Sequence, residues 1–184
     1  MPACAHDIET PSPWVERWSG SIRAGGRVLD VACGQGRHLR RLASLGFSVV
    51  GVDRDGAALS ALAALRGVEV RIADIERGPW PFAPGEFDGV VVTNYLHRPL
   101  FPHLVAALRP GGILIYETFA LGNERYGRPS NPDFLLEPGE LLRRTEPLAV
   151  AAFEQGFVSS PKHAVIQRIC AVQASSGAGV IALK

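Results

Sequence analysis

The stretch RVLDVACGQGRHLRRLASLGFSVVGVD, residues 27–53, decides the fold class. Its first six residues, RVLDVA, form a short apolar run beside glycines and read as a buried strand. Gly34 and Gly36 follow; lacking a Cβ, they let the backbone turn sharply and approach a ligand closely. Residues 37–45 place Leu39, Leu42 and Ala43 on one helical face, and Gly46 stops the helix. FSVVGVD (47–53) is a second apolar run. Strand, glycine turn, helix and strand make the crossover unit of a parallel sheet.

The alternation continues outward. Leu59, Leu62 and Leu65 stand at helical spacing in 55–66, closed by Gly67, and VEVRIAD (68–74) is a third strand. Residues 75–86 are rich in Pro and Gly and read as a loop, before the strand FDGVVVTN (87–94). Pro99 to Leu108 is a short helix stopped by Pro110-Gly111-Gly112, and ILIYETF (113–119) is the fifth strand. A polar segment, 120–137, precedes a helix near 138–145 and two strands near 148–154 and 163–173. The short link through Ser159, Ser160 and Pro161 predicts that these two run antiparallel. The whole is an α/β chain: a mostly parallel seven-stranded sheet, its last strand antiparallel, with helices on both faces.

A chain of 184 residues predicts one domain over 1–184. Within it, residues 1–20 read as an N-terminal cap segment and 174–184 as a flexible tail. With 47% hydrophobic and 20% charged residues the balance is globular. A formal charge of +1 supplies no global field to gather nucleic acid or membrane, so neither is the favoured partner. The 17 arginines are spread along the chain against 18 acids. No apolar run is long enough to span a bilayer, and MPACAHDIETPSP has no signal-peptide core. Cys4, Cys33 and Cys170 form no CxxC pair, so neither a disulfide framework nor a metal site is expected. A cytoplasmic monomer or homodimer fits these features.

Ligands of such sheets sit beyond the carboxyl ends of the strands. Asp30, Asp53, Asp74, Asn94 and Glu117 stand there. Taken alone, the glycine loop is equally a tight structural turn, and GxxxxGK[ST] is absent. Asp30, just ahead of the loop, sharpens the choice. A pyrophosphate at about 4 Å would be repelled by roughly 4 kcal/mol at an effective dielectric near 20. A cationic ligand would be attracted by as much, and S-adenosylmethionine carries an ammonium and a sulfonium. Asp53 can accept both hydroxyls of a ribose, with Arg54 beside it. Asp74 can accept from an adenine amine while Ile75 packs on the ring, although a solvated loop acid is the plain alternative.

VLDVACGQG, VVGVD, RIAD, FDGVVVTN and LRPGGILIYETF resemble, in order and spacing, the motifs of class I S-adenosylmethionine-dependent methyltransferases. The likeness covers roughly residues 26–120, and is looser toward small bacterial enzymes of the tellurite-resistance type. It implies a three-layer αβα Rossmann-like sandwich with strand order 3-2-1-4-5-7-6. It further implies that Asp30 and the turn Ala32 to Gly36 face the methionine part of the cofactor. Asp53 would bind the ribose, Asp74 and the Ile75 backbone the adenine, and Asn94 with Tyr95 would floor the methyl group. Ala32 stands where the family often has glycine. The short 75–86 connection points to Trp80 or Phe82 as the cover of the adenine pocket.

Methyl transfer needs alignment above all, so the catalytic residue is the least legible part. His97, Tyr95, Glu117 and Tyr126 are the candidates, His97 being the natural base. Segment 120–137 reads as one wall of the acceptor pocket, with His97 and Tyr126 facing the methyl. TNYLH stands where NPPY would align an amino group, which disfavours adenine-N6 methylation. Trp14 and Trp18, at i and i+4, read as a short helix packed on the sheet. The expected activity is methyl transfer to a small-molecule acceptor. A non-catalytic S-adenosylmethionine-binding domain acting through a protein partner is the alternative, and an NAD-linked oxidoreductase is weakened by Asp30.

Overall fold

The computed structural model describes residues 10–174. In chain order they form α1 (Pro13–Ser19), β1 (Arg27–Val31), α2 (Arg37–Ser44), β2 (Ser48–Asp53), α3 (Gly56–Leu62), β3 (Val68–Ile72) and β4 (Phe87–Thr93). Then come α4 (Phe101–Ala107), β5 (Leu108–Phe119), α5 (Glu140–Arg144), β6 (Leu148–Val158) and β7 (Ala164–Gln173). The seven strands lie in the order β3-β2-β1-β4-β5-β7-β6. All neighbours are parallel except β7, which runs antiparallel to both β5 and β6. This is the expected Rossmann-like topology. The strand order reverses between β1 and β4, so their carboxyl ends open the crevice where ligands bind.

Side chains alternate between the two faces of the sheet. Val28, Val49, Val91, Ile113 and Ile115 point to one face, where Trp14 and Trp18 of α1, Leu39 and Leu42 of α2, and Leu59 and Leu62 of α3 cover them. Leu29, Val31, Val50, Val52, Val90, Val92 and Leu114 point to the other, under Phe101 and Leu104 of α4 and Leu141 of α5. Helices on both faces explain why the central strands are apolar at consecutive positions.

Several boundaries differ from expectation: β3 stops at Ile72 and β6 runs on to Val158. β5 begins at Leu108, not residue 113: Leu108 is already extended and pairs with Phe87, with a bulge before Gly89. Pro110 ends α4 early because it lacks an N–H and biases Arg109 away from helical backbone. α3 stops at Leu62, short of residue 66. Residues 120–137 carry two single 3-10 turns, Asn123–Arg125 and Pro132–Phe134. The tail lies outside the described residues but for Ala174, and so do residues 1–9 of the cap. Among the described residues no helix is long and apolar enough to cross a membrane.

α1 packs as expected from its tryptophans. Both rings are about 1% exposed and meet edge to face at 5.7 Å. Trp14 Nε1 donates to the Ile169 carbonyl at 3.1 Å, and the Arg168 guanidinium lies 4.8 Å from its ring. Removing an indole so enclosed costs about 3–5 kcal/mol. Trp14→Ala is therefore expected to lower urea-unfolding stability by about that amount; a loss under 1 kcal/mol would show that α1 is not part of the core.

Candidate functional site

The turn after β1 is built around left-handed backbone. Ala32, Gly34 and Gly36 all have positive φ, at 51°, 50° and 76°. A Cβ on Gly36 would meet Leu62 at 2.5 Å, whereas one on Gly34 would meet nothing. Gly36 is thus demanded by packing, and Gly34 by its φ and by the open side it presents. Ala32 holds the strained conformation that makes glycine frequent there in the family, at a cost of about 1–2 kcal/mol. The loop bonds across to β2: Gly34 N–H donates to Asp53 Oδ2 at 2.9 Å and Cys33 N–H to the Val52 carbonyl at 3.1 Å. Asp53 Oδ1 accepts from Asp55 N–H at 3.0 Å.

Asp30 lies beneath this loop, 1% exposed, and not in the pocket lining. The Leu39 amide in the first turn of α2 favours its ionised form, while among the described residues Oδ2 has no partner. Burial pushes this carboxyl up to about 7, opposed by the Leu39 amide and Arg37 and reinforced by Asp53. A buried acceptor without a donor fits a ligand that brings an ammonium group close by.

The pocket is a cavity of about 390 Å³ running along the strand ends. Ala32, Asp53, Arg54, Asp74, Ile75, Glu76, Asn94 and Tyr95 line one part of it. Asp74 Oδ1 accepts from the Glu76 and Arg77 amides, at 3.1 Å each, which fixes the carboxylate at the rim. Tyr95 O–H donates to Glu76 Oε1 at 3.2 Å, bridging β4's end to this loop. Burial and Glu76 both hold the phenol above its ordinary range. Asn94 takes a left-handed φ of 54°, which Asn tolerates, and its N–H donates to the Glu117 carbonyl. Trp80 and Phe82 do not cover the adenine side. They pack against His103 and Phe87, at 5.7 and 5.2 Å, because the loop folds back over α4 and β4. Ile75 and Glu76 line the pocket beside Asp74 instead.

The remaining lining is Thr118, Phe119, Pro129 and Phe134, so segment 120–137 contributes Pro129 and Phe134. His97, Glu117 and Tyr126 stand outside the lining. His97 precedes the 3-10 turn at Arg98, and its carbonyl accepts from Leu100 N–H. Tyr126 packs against Phe157 and His163, at 4.9 and 6.2 Å, where the β6–β7 hairpin turns.

Glu117 belongs to a polar network that the sequence reading missed. Its Oε1 accepts from Ser12 O–H at 2.7 Å and its Oε2 meets Arg168 at 3.3 Å. Ser12 N–H donates to His38 Nε2 at 3.0 Å, so the neutral ring carries its proton on Nδ1 and donates to Thr93 Oγ1 at 3.2 Å. Burial, aided by Arg37, pushes the His38 imidazole down to about 3. The one sequence signal for this network is a histidine in the first turn of an otherwise basic helix, directly ahead of Leu39.

The chain resembles known methyltransferases in sequence and in fold. Residues 28–112 match a methyltransferase-domain family. A tRNA U34 carboxymethyltransferase from Methylococcus capsulatus is 34% identical over 154 residues, 68% of this chain and 45% of that protein. The chain spans about half the length, or less, of the curated relatives it matches. A SAM-dependent methyltransferase from Methanosarcina mazei superposes with a TM-score of 0.67 at 16% identity, covering 90% of this chain and 99% of that one. TehB from Haemophilus influenzae superposes with a TM-score of 0.69 at 17% identity, covering 87% and 61%. With the strand order, the glycine turn and the acidic strand ends in place, residues 28–112 form a methyltransferase domain on the fold of the class I S-adenosylmethionine-dependent methyltransferases.

Proposed function

We propose that the protein transfers the methyl group of S-adenosylmethionine to a small-molecule acceptor. The observation that carries this reading is the single pocket joining the Asp53 and Asp74 carboxylates to the wall of Thr118, Phe119, Pro129 and Phe134. A donor lying between the two would present its methyl toward that wall.

The bound cofactor supplies a sulfonium-activated methyl group. The chain's own residues bind and orient. Asp53 accepts the ribose hydroxyls while its bond to Gly34 keeps the turn in register. Asp74 takes the adenine amine, with Ile75 against the ring. Asp30 charges the loop from beneath and favours the ammonium end. Ala32, Gly34 and Gly36 let the backbone approach, and Arg54 flanks the ribose. Asn94 and Tyr95 floor the methyl position, and the Tyr95–Glu76 bridge holds the phenol in place. Glu117 orients the N-terminal segment through Ser12. His97 and Tyr126 stand back from the lining and do not serve this reading as base or contact. In-line alignment of acceptor and methyl contributes about 7–11 kcal/mol.

Calorimetry tests the cofactor. S-adenosylhomocysteine is expected to bind in the micromolar range and NAD not at all; tighter binding of NAD would overturn the reading. Each charge-assisted ribose bond contributes about 1.5–3 kcal/mol, so Asp53→Ala should weaken S-adenosylhomocysteine at least about tenfold. Asp53→Asn, which keeps an acceptor for Gly34, separates lost binding from a loosened turn. An unchanged affinity in both folded variants would place the ribose elsewhere.

Asp30 makes the affinity pH-dependent. Its carboxyl titrates near 7 in the free protein, and an ammonium favours the ionised form. Affinity for S-adenosylhomocysteine should therefore fall as pH drops from 8 to 6, and Asp30→Asn should flatten the profile. The same shift bears on stability. A carboxyl raised on folding contributes most below its unfolded value of about 3.9, and that contribution is lost as pH rises through about 7. Asp30→Asn should then raise Tm more at pH 8 than at pH 5; an equal change at both would show that Asp30 is not held uncompensated.

A further inference from the structure

The two ends of the pocket differ in charge. The end assigned to adenosine holds three acids, Asp53, Asp74 and Glu76, against one cation, Arg54. The lining at the other end, Thr118, Phe119, Pro129 and Phe134, has no ionisable side chain. Two cations stand beside this lining, and one acid, Asp133, immediately precedes Phe134. Lys162 Nζ lies 5.0 Å from the centre of the Phe119 ring, half-buried, and Arg128 immediately precedes Pro129. Among the described residues no carboxylate lies within ion-pair distance of Lys162, Arg125 or Arg128. Glu124, next to Arg125 in the chain, accepts from the Gly122 amide at 2.8 Å.

Lys162 is held where it stands. Its neighbour His163 packs on Phe157 and Tyr126, at 5.4 and 6.2 Å, which fixes the hairpin tip against segment 120–137. The buried Asn123 ties the same segment down: its Nδ2 donates to the Pro129 carbonyl at 3.0 Å and its Oδ1 accepts from Val165 N–H at 3.2 Å. An ammonium so placed costs the acceptor little to meet, because Phe119 already shields one side of it from water.

Resting on the reading above, we infer that the acceptor is a small apolar or aromatic anion, drawn to Lys162 and seated between Phe119 and Phe134. The chemistry then balances without a base. The acceptor's oxyanion or thiolate forms a bond to the methyl carbon. The carbon–sulfur bond breaks and its electron pair stays on sulfur. Anion and sulfonium become a neutral ester, ether or thioether and neutral S-adenosylhomocysteine, with no proton to remove. A neutral alcohol or amine would release a proton here, and the lining at this end offers no group to take it.

Benzoate and its uncharged isostere benzamide test this, titrated into protein saturated with S-adenosylhomocysteine. Benzoate is expected to bind at least about tenfold tighter than benzamide, the effect of one charge-assisted contact. Lys162→Gln should remove the preference, Lys162→Arg should keep it, and neither should change the affinity for S-adenosylhomocysteine. Equal binding of the two probes, binding of neither, or a preference that survives Lys162→Gln overturns the inference. Failure of S-adenosylhomocysteine itself to bind would instead sink the cofactor reading, and it is measured before either probe is added.

Discussion

The Asp53 carboxylate accepting the Gly34 amide, at 2.9 Å, is the bond on which the site depends. It joins the end of β2 to the turn after β1 and thereby sets three things at once. It holds the left-handed backbone through Ala32, Gly34 and Gly36 in the one geometry that lets α2 start over the sheet. It holds the carboxylate in the pocket lining with lone pairs still free to accept. And it brings a second negative charge beside Asp30, which helps raise the Asp30 carboxyl. The cofactor end is therefore organised before a ligand arrives, which reduces the ordering cost of binding.

A second constraint operates on the N-terminal side. Ser12 is 5% exposed, yet its amide and hydroxyl are both used, by His38 and Glu117. Its hydroxyl also accepts from the Trp14 amide at 3.1 Å and so caps α1. One residue thus fixes where α1 begins and ties that point to α2 and β5. His38 suits this task because it stays neutral: a buried imidazolium could not accept from the Ser12 amide. The residues expected to do chemistry beside β5 are in this sense structural. Glu117 is shared between Ser12 and Arg168, and a carboxylate bound on both oxygens is poorly placed to act as a base.

The fold was legible because its determinants are local. Apolar runs of five to seven residues, glycines at their ends and leucines at helical spacing each specify an element without knowledge of its neighbours. The acidic strand ends were legible for the same reason: strand position fixes where a side chain emerges. What depends on distant pairing was not. Nothing near His38 in the chain reveals Ser12 or Thr93, and nothing near Trp80 reveals that His103 stacks on it. Tyr126 has the composition of a site residue, but its ring is taken up by the β6–β7 hairpin, 31 and 37 residues away at Phe157 and His163. Pro129 and Phe134, which do line the pocket, lie in the segment singled out as a wall, although neither type carries chemistry.

That segment is a fixed wall because both halves are anchored from below. Asn123 secures the part bearing Pro129. Arg98 secures the part bearing Phe134: Nη1 donates to the Asp133 carbonyl at 2.7 Å and Nη2 to the Leu135 carbonyl at 2.9 Å. Arg98 is itself held in a bidentate pair with Glu140, at 2.8 and 3.0 Å. Burial alone would raise the Glu140 carboxyl, yet Arg98, the Glu137 amide and Arg144 hold it below its ordinary range. Breaking that pair would strip the buried Glu140 of its bidentate partner and leave only Arg144 and the Glu137 amide to hold its charge, so the wall resists swinging away. If the acceptor meets this wall, as proposed, a wall so anchored selects by shape as well as by charge. In the proposed reading the cofactor lies against carboxylates on strand ends, while the acceptor end is shaped by loops clamped to the same sheet. The sheet is the common frame that keeps the two at a constant separation, and in-line transfer requires that constancy.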